Sequence, residues 1–179
     1  MQTVAETVNE NPMRVIKLAK VTVHIGVGKS GEALEKARKV LEDITGQKAC
    51  TKQAKMTIKE FGIREGEPIA CLTTLRGDKA AAFLKRALDA ASNALKGSSF
   101  DDNGNFAFGI KEHIEIPGTK YVPELGILGM DVIGTLERPG YRIKRRRIRP
   151  ARIGKSHRIT KEQAMKFVAE RFGVQVREA

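Results

Sequence analysis

Tryptophan is absent from these 179 residues, and the aromatics number only seven Phe and two Tyr. Aliphatic side chains must therefore supply most of the core, and with 41% hydrophobic residues there are enough of them. Cysteine is almost as scarce. Cys50 and Cys71 stand in no CxxC and at no ligand spacing from the three histidines, so neither a zinc site nor a disulfide framework can be assembled. Both read as small buried hydrophobes in a reducing compartment. No apolar run approaches the length of a bilayer span. The opening residues, MQTVAETVNENPMR, lack the apolar stretch of a signal peptide. These absences point to a cytoplasmic chain of one domain, residues 1–179, with no membrane partner. One local absence matters more than the rest: between Arg138 and Arg158 there is no Asp or Glu.

In that segment stand Arg138, Arg142, Lys144, Arg145, Arg146, Arg147, Arg149, Arg152, Lys155 and Arg158. These ten cations account for nearly all of the net charge of +12, and the rest of the chain carries 23 basic against 21 acidic residues. A segment so self-repelling and so poor in apolar groups gains little from folding alone, so residues 138–158 are expected to be flexible. A polyanion is its natural partner, since each neutralised phosphate releases condensed counterions. Eight of the ten are Arg, whose forked donors suit phosphate and whose plane stacks on bases. That favours nucleic acid, and RNA if the partner is folded. An anionic membrane surface fits poorly, because Ile143, Ile148 and Ile153 are scattered singly and form no apolar face.

Elsewhere the chain alternates between strand and helix patterns. VTVHIGV (21–27) places Val21, Val23, Ile25 and Val27 on one face and Thr22 and His24 on the other. A helix follows, with Ser30 as its cap, a stripe of Leu34, Ala37, Val40, Leu41 and Ile44, and Gly46 at its end. Residues 48–66 predict a short strand and then a protruding loop over 55–66. PIACLTTLRG (68–77) alternates again, Thr74 sharing its face with Leu72 and Arg76. Asp78 would cap a second helix whose stripe runs from Ala80 to Leu95, closed by Gly97. After the DDNGN turn come two further strands, FAFGIKEHIEI (106–116) and GILGMDVIGTL (126–136), the glycines of the second allowing a bulge or a close approach. Thr160 and Gln163 form a capping box for a last helix through about Arg171, with Met165 and Val168 inward. Strands follow one another without intervening helices, which predicts an α+β fold with a mostly antiparallel sheet.

Three motifs invite other readings. Gly26-Val27-Gly28-Lys29-Ser30-Gly31 fits GxGxxG between a strand and a helix, as in a dinucleotide-dependent oxidoreductase. The acidic residue that should end a second parallel strand is missing, however, and so are repeated βαβ units. A P-loop would need glycine where Val23 stands. Glu112, His113 and Glu115 supply the composition of an acid–base site but no nucleophile or metal partner, so an exposed sheet edge or polar RNA-facing row is the simpler reading. Phe106 and Phe108, two apart, are either stacking platforms on an RNA-binding sheet or core. A DNA-binding regulator would need a recognition helix, yet the densest charge falls on an expected loop.

Nine strings occur in order: ENPMR (10–14), HIGVG (24–28), TGQK (45–48), FGIREGEPIA (61–70), TLRG (74–77), GNFAFGIKEHI (104–114), LGILGMD (125–131), ERPGY (137–141) and HRITKEQAM (157–165). Together they resemble the universal large-subunit ribosomal "L five" family, over nearly the whole chain. The basic stretch before HRITKEQAM is similar to the archaeal and eukaryotic branch. The resemblance implies a non-enzymatic protein without cofactor or metal, its helices on one face of an antiparallel sheet and 5S ribosomal RNA on the other. It implies 5S contacts at Lys20, His24, Gln47 and Thr74, with His24 standing where many members have Asn. It further implies that Lys55, Lys59 and Arg64 of the 55–66 loop meet the peptidyl-site tRNA, and that the basic arm neutralises neighbouring large-subunit RNA. Ribosomal proteins of the central protuberance and of the small-subunit head would be its neighbours.

Overall fold

The structure, a computed structural model, describes residues 11–177; the polar N-terminal stretch read as lacking a signal peptide lies mostly outside the described residues. Its axis is β1 (Lys17–Gly26), whose inward Val21, Val23 and Ile25 are sealed from solvent while Thr22 and His24 stay half-buried on the other face. The strand starts earlier than the alternation from Val21 predicts. Its pairing slips between Leu18 and Lys20, so a bulge at Ala19 inverts the parity. Leu18 turns inward opposite Leu136, and Lys20 pairs with Thr135.

Around β1 assemble β2 (Cys50–Gln53), β3 (Pro68–Leu75), β5 (Asn105–Ile110) and β6 (Met130–Glu137), in the order β2-β3-β1-β6-β5. Every pairing in this sheet is antiparallel, as the α+β reading predicts. Helices α1 (Glu32–Thr45) and α2 (Gly77–Ala90) bury their apolar stripes in the same core as the inward residues of β1 and β3. The α1 stripe is the predicted one, and Gly46, at φ 61°, closes the helix by donating to Glu42 O.

The helix starts differ from expectation. Ser30 does not cap α1; its Oγ donates to the Glu67 carboxylate at 2.6 Å, and Gly31 occupies the cap position. Asp78 lies within the first turn of α2, with Arg76 at the cap. That helix also ends sooner, because Ser92 and Asn93 take left-handed conformations. Leu95 is buried, but from a short strand, β4 (Ala94–Lys96), which pairs in parallel with β7 (Gln175–Arg177). The basic segment contains a single helical turn, α3 (Arg142–Arg145). Between that segment and β7, α4 (Lys161–Phe172) carries the predicted Thr160–Gln163 capping box and buries Ala164 and Val168.

The strand expected over 106–116 stops at Ile110. His113 falls on a 3-10 turn and is 3% exposed, which corrects its reading as an exposed edge residue. Its Nδ1 accepts from the amide of Leu128, and its own amide donates to Leu128 O. Phe106 is buried and Phe108 packs half-buried against the core, so both point inward and neither is a stacking platform. Phe106 needs the close approach that Gly134 permits: a Cβ there would overlap the ring. Cys71 is buried and desolvation pushes its thiol up, but Cys50 is exposed, contrary to expectation. No helix among the described residues is long and apolar enough to cross a membrane.

Candidate nucleic-acid interface

Strand register lays out the face opposite α1 and α2. One row runs Thr74, Thr22, Ile133, Ala107; the next runs Lys20, Thr135, Asn105; and a third runs Leu72, His24, Asp131, Gly109. Most of these side chains are short and uncharged, and all are half-buried to exposed, a surface for hydrogen bonds and shape more than for charge. The expected Lys20, His24 and Thr74 therefore share one face. Gln47 joins them from the turn after α1, its Nε2 donating to Thr74 O at 3.0 Å. His24 Nδ1 lies 3.5 Å from Asp131 Oδ2. Asp131 went unnoticed in the sequence reading, although its outward parity in GMDV was legible.

The basic arm rises at the end of this face. It carries the α3 turn, and its base is tied down. Tyr141 Oη donates to His157 O and accepts from the Ile159 amide, and His157 Nε2 lies 2.8 Å from Pro139 O. Arg138 stands apart from the other nine cations. It is 9% exposed, and its guanidinium donates to Gln163 Oε1 at 3.0 Å, holding the α4 cap. Its phosphate-binding assignment is thereby corrected: charge pattern alone does not separate an internal Arg from exposed ones. Arg145 pairs with Glu137 at 2.7 Å, Arg146 donates to Arg149 O and Arg158 to Ile153 O. Arg142, Lys144, Arg147, Arg149, Arg152 and Lys155 are exposed, and their side chains have no hydrogen-bond or ionic partner among the described residues. Between arm and sheet lies a hollow of about 590 Å³ that Lys20, Asn105, Thr135, Lys144 and Arg152 help to line. Sheet polar groups and arm cations thus converge on one concavity.

The protruding loop over 55–66 is a hairpin. Ile58 and Ile63 exchange both backbone bonds, and Ala54 pairs with Glu67 and Gly66 beneath them. Glu67 braces the base by accepting from Ser30 Oγ and from the Arg64 amide, and these donors hold its carboxyl below the usual range. Lys55, Lys59 and Arg64 are exposed along it. Sequence reading overlooked its apolar tip: Met56 is 69% and Phe61 70% exposed. The signal was there, an aromatic among charged residues in a chain poor in aromatics.

The GxGxxG turn takes no part in such an interface. The Val27 and Gly28 amides, which a pyrophosphate would require, both donate to Ile69 O at 3.0 and 2.9 Å. Glu67 adds a carboxylate beside the turn. A dinucleotide finds neither of those donors free.

Comparison with known proteins agrees with this architecture. The family model described as "Ribosomal protein L5" matches residues 11–64, and the model describing the C-terminus of the same ribosomal family matches residues 68–167. A "Large ribosomal subunit protein uL5" of Sulfurisphaera tokodaii is 53% identical over 173 residues, covering 96% of this chain and 98% of that protein. The protein of the same name from Aeropyrum pernix is 54% identical over 165 residues, 92% of this chain and 86% of its own length. That of Nanoarchaeum equitans is 50% identical over 168 residues, 93% and 99% respectively. With both halves matched in order and half the residues shared along nearly the full length, the chain belongs to the ribosomal protein L5 family.

Proposed function

We propose that this chain is a structural, non-catalytic component of the large subunit of the cytoplasmic ribosome. Its sheet face holds 5S ribosomal RNA in the central protuberance, beside the proteins of that region and of the small-subunit head. The observation that carries this reading is the split between two adjoining surfaces: rows of small polar side chains on a rigid sheet, and exposed arginines on an arm beside them. The sheet reads shape and a few hydrogen bonds through Lys20, His24, Gln47 and Thr74. The arm, flexible until it meets its partner, neutralises neighbouring large-subunit RNA through Arg142, Lys144, Arg147, Arg149, Arg152 and Lys155 together with Arg145, Arg146 and Arg158. The hairpin touches the peptidyl-site tRNA through Lys55, Lys59 and Arg64, with Phe61 available to stack at its tip. Glu60 and Glu65 temper that attraction, which suits a ligand that must leave.

Mixing the purified chain with labelled 5S RNA, tRNA or duplex DNA at near-physiological salt tests the reading. The complex should form with 5S RNA and be competed poorly by the other two. Equal competition by duplex DNA would reduce the sheet to a general polyanion binder.

A further inference from the structure

Only two carboxylates, Asp131 and Glu137, have outward parity on the open sheet face among the described strands. Glu137 is neutralised by Arg145 at 2.7 Å. Asp131 is not: its side chain is 65% exposed, His24 stands at a long 3.5 Å from Oδ2, and no hydrogen bond reaches Oδ1 among the described residues. A bare carboxylate on a surface meant for RNA repels phosphate, so it belongs there only if it meets hydrogen-bond donors. RNA offers those donors chiefly on base edges and 2′-hydroxyls.

The surroundings of Asp131 suit a base. A hollow of about 350 Å³ opens beside it, lined also by Gly26, Gly109, Gly129 and Lys111. Three glycines leave backbone without side chains as a floor, which lets a flat ring approach closely. The lining residues include a two-oxygen acceptor, Asp131, and a residue whose side chain ends in an ammonium donor, Lys111. Among the four RNA bases only guanine presents an acceptor (O6) next to two adjacent donors (N1–H and N2–H) on its Watson–Crick edge. Cytosine and adenine each offer a single amino group there, and uracil a single ring N–H. His24 borders the carboxylate from β1, its Nδ1 3.5 Å from Oδ2, and leaves Oδ1 open to a ligand.

We infer that this glycine-floored hollow is a reading site for one unpaired guanine of the bound RNA, with the Asp131 carboxylate accepting from N1–H and N2–H and Lys111 donating to O6. The inference rests on the reading of this sheet face as the RNA interface, and it adds base specificity to a surface otherwise fitted to shape.

The test uses the full-length chain and 5S RNA transcripts in which each unpaired guanine is replaced singly by inosine, which lacks only the N2 amino group. One inosine transcript should bind wild-type protein more weakly by about tenfold. Asp131→Asn should weaken the parent RNA to a similar degree, and the two losses should not add, because both remove the same contact. Gly109→Ala gives a second route. Its Cβ would meet Asp131 Oδ1 at an ordinary 3.7 Å, so the fold is kept while the floor is raised, and the inosine effect should disappear. Unfolding midpoints of both variants should match wild type. Parent-level affinity for Asp131→Asn, or inosine losses that add to it, would overturn the guanine site while leaving the sheet interface standing. Failure of the wild-type chain to bind 5S RNA would instead remove the interface reading, and this site with it.

Discussion

Gly134 and Phe106 face each other across the β5–β6 pair, and the ring occupies the space where any other residue would carry its Cβ. Gly134→Ala should cost about 1–3 kcal/mol or more, because the nearest ring atoms would have to move in a close-packed core. A urea titration against wild type gives the number, and an unchanged midpoint would mean the core yields more easily than its packing implies. Thr74→Val probes the opposite face. The substitution nearly conserves shape and spares Thr74 O, which accepts from Gln47. If the hydroxyl pairs with a buried RNA group, 5S binding should weaken by about 1–3 kcal/mol. The dependence of affinity on salt should stay unchanged, since no charge is lost; a flattened slope would refute the separation of polar sheet from charged arm.

The arm is the element whose chemistry can be separated most cleanly from the sheet. Arg145 and Arg146 already have partners within the protein, so the informative substitutions are Arg142, Arg147 and Arg152, whose guanidinium groups project freely. Replacing all three with Ala should weaken large-subunit RNA binding. The log K against log salt slope should shrink by about 0.7–0.9 per lost phosphate contact. Retention of the parental slope would place the phosphates elsewhere. Without RNA, backbone amides across 142–156 should exchange far faster than those of β1. The arm buries no fully enclosed apolar side chain, whereas β1 is paired on both sides. Slow exchange there would show the arm to be a stable element in its own right.

The molecule as a whole carries +12, and acid adds to that charge as carboxylates protonate. Four of these carboxylates sit below their usual range, Glu32 through its pair with Lys36 one helical turn away and the other three through donors elsewhere in the fold. Glu42 accepts from the Ala49 amide, and Glu67 from Ser30. Asp101 is pushed upward by burial but is held low overall by donors from Asn105 and Asn103. A lowered folded value means stability that is present above the ordinary carboxylate range and is lost as pH falls through the lowered values. Urea midpoints should therefore decline through that acid window and recover partly with added salt, which screens the repulsion. A midpoint indifferent to acid would mean that these bonds persist in the unfolded chain.

The sequence alone determined the elements whose pattern is local. The α1 stripe, the capping box of α4 and the alternation of β1 from Val21 onward all arise from side-chain periods that survive in any context. Net charge is a sum, so the arm was legible without a fold. Tertiary structure decided whatever depends on a partner distant in sequence. The bulge at Ala19 exists because β6 sets the register. The early end of α2 frees Leu95 to pair beside β7, at the far end of the chain. Arg138 looked like one more arm cation until its burial and its bond to Gln163 of α4 set it apart. Asp131 became a candidate for recognition only when pairing set it beside His24 and Gly109, because strand register, unlike helical period, joins residues that the chain keeps far apart.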